Sequence, residues 1–272
     1  IVSPCGETML VDAGWPGFGG RDADRIAAAL KSAGAKRIDY LLATHYHLDH
    51  VGGVPQLVDR IAVVCFVDHG PSAESGQEAG ELFAAYGRAR AEGKHRVVKP
   101  GHKIPIKGLD VEVLASAGDR IRDPLPGAGT PNPRCARAPR LEEDQSENPQ
   151  SIGTLLRYGK FRFLNLGDLT WNKELALACP RNLIGSVDVY LTTHHGNADS
   201  GPAAMVHALR PRVAIMNNGA RKGGSPEAWR IMRASPGLEG IWQLHYSVGA
   251  GGDANAAEPF IANLEEPCQG FG

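Results

Sequence analysis

The segment Thr44–Gly53, Thr-His-Tyr-His-Leu-Asp-His-Val-Gly-Gly, constrains this chain more than any other. His45, His47 and His50 crowd into six positions together with Asp49, directly after the apolar run Tyr40-Leu41-Leu42-Ala43. Imidazole nitrogen and carboxylate oxygen are the ligands zinc takes when a site stays open for catalysis. His45 and His47, two apart on an extended segment, can face one ion. Asp49 and His50 open the next helix and can face a neighbouring ion. A buried strand ahead and a Gly52-Gly53 turn behind would fix that geometry. The competing reading is a chance cluster of polar loop residues. With 10 histidines in 272 residues, so dense a group is improbable by chance.

The rest of the chain alternates short apolar runs with helical spacing. A hairpin is expected over residues 1–12, then a helix over 21–34 with Ile26, Ala29 and Leu30 on one face. A helix over 51–60 and a strand over 61–67 follow, and 72–92 reads as a helical insertion with Leu82, Phe83 and Tyr86 on one face. Strands are expected at 96–99, 103–106, 109–115, 152–158, 161–166, 187–192, 212–217, 240–245 and 258–263, with helices at 202–210 and 225–234. Residues 116–150, rich in proline and charge, read as a long surface loop. The 42% hydrophobic content is enough for a sizeable core in one domain. Two sheets packed face to face with helices outside would bury these runs, a four-layer α/β (αββα) sandwich.

Net charge is −1, which indicates neither a membrane nor a nucleic-acid partner, although Arg134, Arg137 and Arg140 form one local basic patch. No apolar run approaches the roughly 20 residues of a membrane span, so a soluble protein is expected. The five cysteines, Cys5, Cys65, Cys135, Cys179 and Cys268, show no CxxC pairing. Mostly free thiols are expected, with one or two bridges allowed in an oxidising compartment. The sequence opens on Ile1-Val2-Ser3, read as a processed or truncated start, and the compartment stays open.

Thr44–Gly53 resembles the signature of the metallo-β-lactamase superfamily, and further landmarks follow in order. Asp12, in Val-Asp-Ala-Gly, is similar to the aspartate that orients the metal-binding loop. Asp168, ending the apolar run Phe161–Leu166, resembles the carboxylate that bridges two metals. In the pair His194-His195, His194 resembles the last ligand and His195 is left as a catalytic or substrate-contacting group. The resemblance implies two zinc ions, with Mn2+ or Fe2+ as alternatives, and metal ligands His45, His47, Asp49, His50, Asp168 and His194. Asp49 would also accept a hydrogen bond from hydroxide bridging the ions, formed from a water acidified to about pH 7.

One departure stands out. Hydrolytic members usually carry a third histidine for the first metal, where this chain reads Glu147-Asn148-Pro149-Gln150-Ser151. His69, in Val-Asp-His-Gly at a strand end, can substitute; Asn148, Glu147 or water can also fill the gap. The same stretch, with the later His-His-Gly, is similar to the hydrolase-like domain of competence DNA-uptake proteins and to choline-phosphoesterases. A phosphoester or phosphodiester substrate is therefore expected, small or anionic. The alternatives are an amide, lactam or lactone bond, or a non-catalytic metal-fold binding module. His102 and His207 read as solvated, and His245, Trp15 and Trp171 as either packing or pocket-wall residues.

Overall fold

A computed structural model describes residues 1–264 and divides into two compact units, Ile1–Asp119 with Gln145–Tyr158, and Arg120–Asp144 with Gly159–Gly272. In the first unit, β1 (Met9–Val11) lies beside β2 (Ile38–Leu42), then β3 (Val63–Asp68) and β4 (Lys94–Val97), all parallel. The helices are α1 (Arg21–Ser32), α2 (Leu48–Val51), α3 (Val54–Val58) and α4 (Gln77–Arg90). Their apolar faces (Ala23, Val51, Val54, Leu57, Tyr86 and Ala89) bury Ile38, Leu41, Ala43 and Phe66 of the sheet in one core. Of the residues expected on the faces of α1 and α4, Ile26, Leu30, Leu82 and Phe83 pack at its margin. In the same unit β5 (Lys103–Ile104), β6 (Asp110–Ser116) and β8 (Gly153–Tyr158) pair antiparallel, and Gly118 turns β6 into the short β7 (Asp119–Arg120).

The second unit is a parallel run of β9 (Phe161–Asn165), β10 (Val189–Leu191), β11 (Val213–Met216), β12 (Gly240–His245) and β13 (Ile261–Asn263). It carries α5 (Trp171–Ala178), α6 (Ala203–Leu209) and α7 (Pro226–Arg233). The architecture is α/β, sheets with helices, and is consistent with the metallo-β-lactamase fold. Among the described residues no helix is long and apolar enough to cross a membrane.

Register brings the chemistry-bearing residues to common edges. Val11, Leu42 and Val67 are level in the first sheet, so Asp12, Thr44-His45 and His69 leave from the carboxyl ends of adjacent parallel strands. In the second unit Leu164 is level with Tyr190, so Asp168 and His194 each follow four residues beyond a shared rung. Carboxyl ends of parallel strands are where α/β proteins place ligands, because the following loops converge there.

Several expectations need correction. The helix expected over 51–60 is two helices, α2 and α3, broken at Gly52-Gly53 by close packing. A Cβ on Gly53 would run into the carbonyl oxygen of Ala13, and one on Gly52 into that of Leu48. Gly53→Ala is expected to cost about 1–3 kcal/mol through overpacking against backbone. Gly80→Ala, in α4 with open space at its Cβ, should gain about 0.5–1 kcal/mol. Thermal melts of the two variants shifting in the same direction would contradict this.

Helix α5 was not expected at all, although Trp171, Leu175 and Ala178 have helical spacing. Cys135 and Cys179 are joined as a disulfide with Cα atoms 5.7 Å apart, within the one or two bridges the sequence allowed. Their separation of 44 residues hides the pairing from sequence. Cys5 and Cys65 are free, and Cys268 lies outside the described residues. The 116–150 stretch is not featureless either. Asn132, buried, donates to the carbonyls of Ala178 at 3.1 Å and Ala204 at 2.7 Å, and Trp171 Nε1–H donates to Pro139 at 2.8 Å. These bonds, with the disulfide, fasten it to α5 and α6.

Candidate functional site

In the first unit the loop after β2 is organised by Asp12. This residue sits at φ 59°, a strained left-handed conformation. Its Oδ1 accepts the Thr44 N–H at 2.8 Å and its Oδ2 accepts the Thr44 hydroxyl at 2.9 Å and His50 Nδ1–H at 2.7 Å. That is the loop-orienting part the sequence suggested for Asp12. His45 is fully buried, His50 nearly so, and Asp49 Oδ2 lies 3.4 Å from His50 Nε2.

Each ring nitrogen of the cluster has a polar neighbour. His45 Nδ1 lies 3.1 Å from the Thr44 hydroxyl and its Nε2 3.0 Å from His47 Nδ1, while His47 Nε2 lies 3.1 Å from Glu74 Oε1. Ring nitrogens as close as those of His45 and His47 can share a proton or meet one metal ion. Asp12 on His50 Nδ1 and Glu74 on His47 Nε2 each place a carboxylate behind a ring, the way metal-binding histidines are oriented. Nitrogen and oxygen donors without thiolate suit zinc, manganese or iron in an open site.

The residues weighed for the missing third histidine engage one another. His69 Nε2 lies 2.9 Å from Glu147 Oε2, both side chains being 1% exposed, and its ring packs on Tyr46. Glu147 also accepts the Tyr46 N–H at 3.2 Å, the Ser72 hydroxyl at 3.1 Å and the Ala73 N–H. Burial raises its pKa, but the bonds from His69 and Ala73 outweigh that and hold the carboxyl below its ordinary value. The His69 Nε2 expected to swing toward the first metal is committed to Glu147 instead. Asn148 is buried at the head of a 3-10 turn.

In the second unit Gly167, at φ 57°, turns the chain after β9, and its N–H donates to Asn165 Oδ1 at 2.8 Å. Asp168 is 2% exposed. The His194 N–H donates to the Gly167 carbonyl at 3.0 Å, tying the two loops together. His194, His195 and Gly196 stand in succession at φ 49°, 55° and 76°, a strained run for the two histidines. His195 Nδ1 lies 3.1 Å from the Asn217 carbonyl and its Nε2 3.2 Å from Asp168 Oδ2. His194 Nε2 is 3.8 Å from the same oxygen, and its Nδ1 lies 3.0 Å from Asp199. Both rings of the pair thus reach Asp168, His195 more closely than His194.

Sequence reasoning passed over Glu74, Asn217, Asp199 and Glu174. Glu174, in α5, is fully buried and accepts the Thr193 hydroxyl at 2.8 Å, the Tyr190 hydroxyl at 3.4 Å and the Gly201 N–H at 2.6 Å. It clasps both ends of the His194-His195 loop. Burial pushes its pKa up to about 8 despite these bonds. Only the helical spacing of Trp171, Leu175 and Ala178 could have located it, by placing a glutamate on the helix beside its apolar face.

The remaining histidines lie elsewhere. His102 is exposed and accepts the Lys99 N–H at 3.2 Å. His207, expected to be solvated, is half-buried and lies 2.8 Å from the Ile231 carbonyl, and burial lowers its pKa. Arg134, Arg137 and Arg140 are exposed.

Residues 1–135 match the profile of the metallo-beta-lactamase superfamily. No curated protein matches the chain. Among solved structures, CmlA, a diiron beta-hydroxylase from Streptomyces venezuelae, is similar at 18% identity and TM-score 0.40, over 72% of this chain. This chain spans only 38% of that protein's length. Zn(2+)-bound PqqB from Methylobacterium extorquens is similar at 16% identity and TM-score 0.45, over 78% of this chain and 74% of that one. The metallo-beta-lactamase fold protein YhfI from Bacillus subtilis is similar at 9% identity and TM-score 0.48, over 86% and 83%. Asp49 and His50 in the first unit, and Asp168 and His195 in the second, offer the carboxylate and imidazole donors that divalent metal ions take.

Proposed function

We propose that this chain is a metal-dependent hydrolase of the metallo-beta-lactamase superfamily, the family its residues 1–135 match, using two zinc ions to cleave a phosphoester or phosphodiester. The observation that carries the reading is the facing pair of ring nitrogens, His45 Nε2 and His47 Nδ1, 3.0 Å apart. Ring nitrogens this close can share a proton or one metal ion, and the carboxylates behind His47 and His50 support the metal.

In this reading His45, His47, Asp49 and His50 are the metal ligands of the first unit, and Asp168 and His195 those of the second. Ions so held supply Lewis-acid polarisation of the scissile oxygen and a water acidified to near neutral pH. Asp12 keeps Thr44 and His50 in place, so the ligands need no rearrangement before reaction. Asp49 accepts a hydrogen bond from the attacking water and orients it. His194, steadied through Nδ1 by Asp199 at 3.0 Å, would meet a substrate through its other nitrogen, as an acceptor when the ring is neutral and as a donor when it is protonated. The preference for a phosphoester rests on the Asn148-x-x-Ser151 stretch and the His-His-Gly run, which resemble the phosphoesterase-like branches.

Metal analysis of the purified protein, followed by assays with bis-p-nitrophenyl phosphate and a chromogenic cephalosporin, tests the reading. Two zinc ions per chain and turnover of the phosphodiester are expected. Cleavage of the cephalosporin alone would move the substrate to an amide or lactam. Bound zinc with neither substrate cleaved would favour a binding module.

A further inference from the structure

We propose that Glu74 is the positioning residue of His47, the carboxylate that fixes which nitrogen of that ring meets the metal. The inference rests on the metal-centre reading above and adds to it a residue outside the His-x-His-x-Asp-His segment.

Glu74 Oε1 lies 3.1 Å from His47 Nε2. The other nitrogen of the ring, Nδ1, faces His45 Nε2 at 3.0 Å. An imidazole directs its two nitrogens away from each other, so a carboxylate on Nε2 stands behind the ring. It cannot also occupy the place of an ion at Nδ1. As a pure acceptor it holds the proton on Nε2, keeps the Nδ1 lone pair exposed and raises the basicity of that nitrogen.

Glu74 is itself held. Its Oε1 also accepts the Glu147 N–H at 3.1 Å, and its own N–H donates to Ser72 Oγ at 3.2 Å. The Ser72 hydroxyl and the Ala73 N–H in turn donate to Glu147 Oε1. The 72–74 segment, which precedes α4, is thus fastened to a buried carboxylate. Glu147, standing where a third histidine was looked for, contributes by fixing the residue that fixes His47.

The test uses metal-free wild type, Glu74→Ala, Glu74→Gln and Ser72→Ala, titrated with Zn2+ against a chromophoric chelator. Ring 1H–15N spectra of the zinc-loaded proteins report the proton position on His47. In wild type His47 should carry its proton on Nε2. Glu74→Ala should weaken one of the two zinc ions by about 10–100-fold and spare the other. Glu74→Gln should fall between, because its amide oxygen still accepts. Ser72→Ala removes one of the bonds that hold Glu74 but keeps the carboxylate on His47, so it should weaken the same ion by clearly less than Glu74→Ala.

Unchanged zinc affinity in Glu74→Ala, or an equal loss in Ser72→Ala, would overturn the role of Glu74 while leaving the centre standing. A wild type that takes up no zinc would overturn the centre itself, and the role of Glu74 with it.

Discussion

Replacing His69 with alanine is expected to destabilise the protein by about 3 kcal/mol while leaving its zinc content unchanged. The side chain is 1% exposed and its Nε2 is 2.9 Å from Glu147, itself 1% exposed. Removing one partner of such a pair strands the other, at a cost of about 3–5 kcal/mol. The lower end applies because Glu147 keeps its bonds from Tyr46, Ser72 and Ala73. A ligand histidine would behave differently, losing a metal ion at modest cost to the apoprotein. Urea unfolding and metal analysis on the same sample separate the two.

The pH dependence of this effect has a definite sign. The Glu147 pKa is lowered in the folded state from 4.5. Its contribution is present above that value and is lost as pH falls through the folded one. The stability gap between wild type and His69→Ala should therefore narrow in acid below about 4.5. A gap that widens there, or a lost zinc ion, would contradict the structural part given to His69.

The second large effect belongs to Glu174. Its pKa is raised from 4.5 to about 8, chiefly by burial. A group whose folded pKa is raised binds its proton more tightly when folded. Its contribution is present below 4.5 and is lost as pH rises to about 8. Glu174→Gln cannot ionise, so the difference in melting temperature between variant and wild type should change steadily across that window in favour of Gln at the alkaline end. Parallel melting curves from pH 5 to 9 would sink the assignment.

Glu174→Ala should be far more damaging. It strands the Thr193 and Tyr190 hydroxyls and the Gly201 N–H, at roughly 1–3 kcal/mol for each buried donor left unpaired. It also releases the clasp on the strained His194-His195 run. Loss of zinc affinity should accompany the loss of stability in this variant, whereas in His69→Ala the two are separable.

The sequence by itself determined most of the strands, the longer helices α1 and α4, and the first cluster. Local pattern suffices there: a buried strand, histidines at alternate positions and a glycine pair are all encoded within ten residues. Asp12 and Asp168 were legible for a similar reason, each standing just past an apolar strand. The tertiary structure alone decided which oxygen anchors each ring. Asp12, Glu74 and the Asn217 carbonyl reach their histidines from 38, 27 and 22 residues away, and hydrogen-bond partners at that distance leave no periodic trace. The same holds for His69 with Glu147 and for Cys135 with Cys179, pairs made by strand register and loop packing. Residue type announces that a side chain can bind a metal. Whether it does so, or instead satisfies a buried neighbour, depends on what the fold sets within 3 Å of it.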